Sequence, residues 1–129
     1  MEYADFSDEF CRFIQAAIPA VDAAELLLIL QGSPERWWEP AEALRMLPPG
    51  AALGETEAAR YFEILRTRGL IALDAGRRMQ YRPADETLAT HVRTLASAYR
   101  ERPVTLIRVI YAMRDSKIRS FADAFKLRK

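Results

Sequence analysis

Arginine carries most of the chemistry this chain could do. The first 64 residues hold twelve acidic and four basic side chains, and the remaining 65 hold fifteen basic and six acidic ones, although the net charge of the whole is only +1. A guanidinium is a planar fork of donors that pairs well with phosphate oxygens, and a basic half is the electrostatic footprint expected of a phosphate-binding surface. Two halves of opposite sign can equally neutralise one another within a fold or across a dimer.

Other chemistry has little to work with. His91 is the only histidine and Cys11 the only cysteine, so no structural zinc set can be assembled, and His91 reads as a solvated residue on the polar side of its helix. Gly50, Gly54, Gly69 and Gly76 stand singly in turns and match no phosphate-cradling loop. The pairs Asp8-Glu9 and Asp85-Glu86 fall at helix starts, where the dipole favours negative charge. No enzymatic activity, metal or cofactor is expected. Cys11 cannot form an internal disulfide, fits a reducing compartment and reads as a small buried hydrophobe. The start, MEYADFSDEF, is acidic where a signal peptide is basic, and no run approaches the roughly eighteen apolar residues of a membrane span, so the expected location is the cytoplasm.

The elements that must position the arginines centre on residues 53–83, LGETEAARYFEILRTRGLIALDAGRRMQYRP. Ala58, Phe62 and Leu65 share one face of a helix, with Arg60, Glu63 and Thr67 on the other. Gly69 ends that helix, because a left-handed residue that reverses the chain costs glycine nothing. Leu70 to Leu73 alternates as a strand does, Asp74-Ala75-Gly76-Arg77 is turn chemistry, and Met79 to Arg82 can pair back before Pro83.

This order of helix, Arg-Gly-Leu, strand, glycine-containing turn with arginines, and strand resembles the recognition helix and wing of the winged-helix family of DNA-binding domains. The resemblance implies a mainly helical fold with a small β wing: a winged helix-turn-helix core over about 20–84, an N-terminal helix and a C-terminal helical extension over 85–129, all in one domain. It further implies a bacterial transcriptional regulator that binds duplex DNA as a homodimer, with one helix in the major groove and wing arginines reaching phosphates or the minor groove. By position in the motif, Thr56, Arg60, Tyr61 and Thr67 would serve on the helix, and Arg77, Arg78 and Arg82 on the wing. The ending KIRSFADAFKLRK is similar to that of small bacterial proteins of unassigned function associated with the same fold. Glu55 and Glu57, at the start of the recognition helix, depart from the family pattern and support the alternative of a non-enzymatic protein interaction module, an adaptor that does not read DNA. A positive strip continuous across wing and helix favours DNA, and one broken by Glu55, Glu57 and Glu63 favours a protein partner.

Around that centre the chain reads as helices. Residues 5–18 place Phe6, Phe10, Phe13, Ile14 and Ala17 on one face, and Pro19 ends the run. Asp22 is the expected cap of a second helix whose apolar body includes Leu26, Leu27, Ile29 and Leu30. Arg36-Trp37-Trp38-Glu39 falls where the family places a short edge strand joining the wing; strand alternation sends one tryptophan inward, expected to be Trp38. Pro40 opens a helix over Ala41 to Leu47. In the helix from Asp85 to Arg102, Leu88, Val92, Leu95 and Tyr99 are spaced 4, 3 and 4, a heptad-like seam that suggests dimerisation. Val104 to Met113 is apolar almost all round and should be the most buried helix of the C-terminal half. Beyond it, Ile118, Phe121 and Phe125 form an apolar face on a basic tail and join the expected dimer interface.

Overall fold

Residues 6–51 and 53–114, those described by this computed structural model, form six helices and two short strands. Helix α1 (Asp8–Ala17) is capped by Ser7, whose hydroxyl accepts the Phe10 N–H at 3.0 Å. Its face of Phe10, Cys11, Phe13, Ile14 and Ala17 is buried, and burial pushes the Cys11 thiol pKa up. At Pro19 the chain bends by 98° into α2 (Val21–Gly32). The cap of α2 is Ala20, not Asp22: the extended Ala20 starts the helix earlier, and Asp22 sits inside the first turn, where its charge favours the dipole. Ala23, Ala24, Leu26, Leu27 and Leu30 are fully buried, and α2 packs against all four of α3 (Pro40–Arg45), α4 (Glu55–Thr67), the second strand and α5 (Glu86–Glu101). It is the spine of the fold.

Between α2 and α3, Trp38 points inward at 3% exposure with the Arg36 guanidinium 3.6 Å over its ring, while Trp37 stays half-buried. The third strand that Trp38 was expected to supply is reduced to one antiparallel bridge, in which Trp38 and Met79 exchange N–H donations at 2.7 and 2.8 Å. Two residues on, where the next such exchange would fall, Pro40 has no N–H to give and opens α3 instead. Glu39 and Glu42 close a reciprocal capping box there.

Helix α4 runs into Gly69, which takes a left-handed φ of 79°. Strands β1 (Ile71–Leu73) and β2 (Met79–Tyr81) then pair antiparallel with Ile71 opposite Tyr81 and Leu73 opposite Met79. At the base of this hairpin the Arg82 N–H donates to the Leu70 carbonyl at 3.0 Å and the Ala84 N–H to the Gly69 carbonyl at 2.7 Å. A Cβ at Gly69 would stand 3.2 Å from the Cβ of Ala84, so close approach as well as backbone sign requires glycine.

Asp85 caps α5, its carboxylate accepting the Leu88 N–H at 2.8 Å. The seam on this helix faces the chain's own core. Val92 and Leu95 are fully buried, Leu88 and Tyr99 pack against the core, and α5 lies on α1 and α2. Of the seam Leu88, Val92, Leu95 and Tyr99, expected at a dimer interface, the two central residues are thus covered within the chain, while Leu88 and Tyr99 are half-buried. His91 departs from expectation in the same way. It is half-buried and stacks on Phe13 at 5.1 Å and 21°, with Phe10 at 6.1 Å, so the aromatic face of α1 has drawn it in from solvent.

The sixth helix among the described residues, α6, covers residues 103–114. Leu106, Val109 and Ile110 are buried, but Val104 and Tyr111 are 62% and 52% exposed. The helix therefore reaches the core with one face and leaves the other in solvent, although its sequence is apolar almost all round. Ile118, Phe121 and Phe125 lie outside the described residues. No single helix among the described residues is long and apolar enough to cross a membrane.

Candidate functional site

The exposed side of α4 is a crest with a groove on either flank. Turning about 100° per residue, the helix buries Ala58, Tyr61, Phe62 and Leu65 and lifts Thr56, Arg60, Glu63 and Thr67 into solvent. Tyr61, expected among the outward residues, is a correction. It is only 6% exposed and belongs to the core, one position from Phe62 on the buried arc. Burial, with Glu57 nearby, raises its hydroxyl pKa. A phenol combines an apolar ring with a polar tip, so residue type alone did not reveal which end prevails.

The crest neutralises much of its own charge. Arg60 stands 3.6 Å from Glu57, and Arg66 pairs with Glu63 through both its Nε and Nη2 donors. That pairing holds the Glu63 carboxyl below the usual carboxylate range. Glu55, Glu57 and Glu63 are all exposed, so no unbroken positive strip runs along the helix.

On one flank lies a cleft of about 640 Å³ between α3, α4 and the hairpin. Leu44, Ala58, Phe62, Ile71, Leu73 and Met79 give it an apolar floor, with Glu39, Glu55, Glu63, Arg66 and Arg77 around them. Leu73 is 46% exposed, unusual for a strand residue paired to a buried methionine.

The turn that carries Arg77 forms one wall of this cleft. The Arg77 N–H donates to the Asp74 carbonyl and the Asp74 N–H to the Arg78 carbonyl, both at 3.0 Å. The left-handed residue of this turn is Arg77, at φ 67°, although Gly76 stands one position earlier. An L residue with a long side chain pays about 1 to 2 kcal/mol there. Asp74 accepts the Arg78 N–H at 2.8 Å and the Arg78 guanidinium at 2.9 Å, and those bonds, the backbone one foremost, hold its carboxyl below the ordinary range. Arg78 is thus committed to Asp74. Arg82 is also engaged, donating to Gln80 Oε1 at 2.7 Å with its guanidinium 5.9 Å from the Trp37 ring, while Gln80 donates to the Glu35 carbonyl. Arg77 alone of the three hairpin arginines has no side-chain partner among the described residues.

The other flank is a groove of about 450 Å³ between α4 and the α1–α2 corner, whose wall includes Gln15, Ala16 and Pro19. From α4 it takes Arg60, Ile64, Thr67 and Arg68, and Arg114 reaches it from α6. Arg66, Arg68 and Arg114 were not singled out in the sequence. Arg68, beside the helix-ending glycine, could have been; Arg114 is brought here only by the fold. Of the seven expected site residues, then, Thr56, Arg60 and Thr67 share the crest, Arg77 stands at the hairpin tip, Arg78 and Arg82 are held within the hairpin, and Tyr61 is core. No protein family, curated protein or solved structure matches the chain.

Proposed function

We propose that this chain is a winged helix-turn-helix protein that binds duplex DNA and regulates transcription in a bacterium, with α3 and α4 as the helix-turn-helix and β1–β2 as the wing. The supporting observation is the arrangement of arginines about α4: Arg66 and Arg77 border one flank, Arg60 and Arg68 the other, and Thr56 and Thr67 lie between them. A helix about 10 to 12 Å across fills a major groove about 12 Å wide, which leaves one sugar-phosphate backbone along each flank. Thr56, Arg60 and Thr67 then face base edges, with Glu63 an acceptor for a cytosine amino group. The pairs on the crest are exposed and worth only about 0 to 1 kcal/mol, so phosphates compete for their arginines. Anisotropy titrations of a mixed duplex pool at several salt concentrations test this. Binding should weaken steeply with salt, and Arg77→Ala should flatten the slope.

A second reading, a winged-helix adaptor with a protein partner, is favoured by the interrupted positive strip and by Leu73 on the apolar cleft floor. It predicts no binding to any duplex pool at low salt, and a partner whose capture is lost in Leu73→Ser.

A further inference from the structure

Resting on the duplex reading, we infer that Arg68 and Arg114 form a second phosphate-binding edge on the flank of α4 away from the wing, so that α6 shares in holding the DNA. The groove there is lined by five charged side chains, Glu57, Arg60, Glu63, Arg68 and Arg114. Glu57 is paired with Arg60, and Glu63 is paired across the crest with Arg66. Arg68 and Arg114 have no carboxylate partner among the described residues, so the uncompensated charge of the groove is theirs and is positive.

Arg68 is the C-cap of α4, where a cation suits the helix dipole, and that explains its presence without occupying its guanidinium. Arg114 comes 46 residues later in the sequence, and only the packing of α6 brings it to the same groove. Both are exposed. Exposed cations hold a small free anion poorly, because water competes for each contact, but they suit a polymeric anion whose many phosphates add their contacts and release counterions together. The groove also runs beside Thr67 and Arg60, which face base edges in the duplex reading, and the backbone bordering the major groove passes there. Gln15, on the opposite wall, adds an amide donor of the kind that positions phosphates.

The test uses the full chain and a mixed-sequence duplex pool, with affinity followed by anisotropy over a salt series. Arg68→Gln and Arg114→Gln remove the charge but keep an unbranched polar side chain. Each should lower the steepness of log affinity against log salt by about 1, and the pair by about 2. Arg108→Gln, on an exposed part of the same helix outside the groove, should leave the slope unchanged, and all variants should keep the parent's circular dichroism and thermal midpoint. If Arg77→Ala flattens the slope but Arg68→Gln and Arg114→Gln do not, the duplex reading stands and the second edge is overturned. An equal loss in Arg108→Gln also overturns it, since that would mean a general charge effect. No binding of the parent at low salt removes both the duplex reading and this inference.

Discussion

The hydroxyl of Tyr99 donates to Glu25 Oε2 over 2.6 Å, joining α5 to α2 across 74 residues of sequence. Its acceptor is a carboxylate that breaks the most apolar helix of the fold, and that hydrogen bond, more than burial, pushes the Tyr99 pKa up to about 12. Tyr99→Phe should therefore cost about 1 to 3 kcal/mol, because half-buried Glu25 loses its hydroxyl partner. The folded pKa lies above the ordinary value of 10, so this contribution is complete below pH 10 and is lost as pH rises toward 12. Urea unfolding of parent and variant should converge over that interval, and a constant difference would contradict the account.

Arg77→Gly separates stability from binding. Glycine relieves the left-handed strain but gains freedom in the unfolded chain, leaving a net stabilisation of about 0.5 to 1 kcal/mol. The same change removes the unpaired guanidinium at the hairpin tip, so on the proposed function duplex affinity should fall as the thermal midpoint rises. A variant that both melts earlier and binds less would show that the arginine serves the fold.

Leu95→Ala should destabilise the chain by about 2 to 5 kcal/mol through an internal cavity. Its mass by light scattering should match that of the parent. Unchanged stability with an altered association state would return the seam to an interface.

Acid should loosen the β1–β2 hairpin before the core. Asp74 is held below the ordinary carboxylate range by its bonds to Arg78, so it supports the turn at neutral pH and loses that role as pH falls through its lowered value. The Arg78 amide resonance should move through this transition, and in Asp74→Asn it should be flat across the same range.

Local chemistry was legible in the sequence, and partnership was not. Gly69, Pro40, Asp85 and the inward turn of Trp38 follow from what each backbone position requires, and the structure has them as read. The spacing of Leu88, Val92, Leu95 and Tyr99 declares an apolar stripe, but periodicity does not say whose surface covers it; α1 and α2 do. Asp74-Ala75-Gly76-Arg77 is legible as a turn, but residue types do not show that its left-handed position is Arg77 and not the glycine beside it. Tyr61 and His91 were misplaced for a shared reason, since each carries an apolar ring that packs as well as a polar atom that dissolves. Arg114 left no local signal, because its place beside α4 is a property of how α6 packs.

The junction of Gly69 with Ala84 has a consequence for how the chain can vary. Entry to and exit from the hairpin are pinned together by a 2.7 Å hydrogen bond, and the helices on either side are already capped by their own glycine and aspartate. Residues 70–83 therefore behave as a cassette plugged into one socket: a hairpin of different length or charge could be transplanted there without re-threading the helices, provided that it kept the glycine, the alanine, apolar residues in place of the buried Leu70 and Ile71, and one in place of Met79 to meet Trp38.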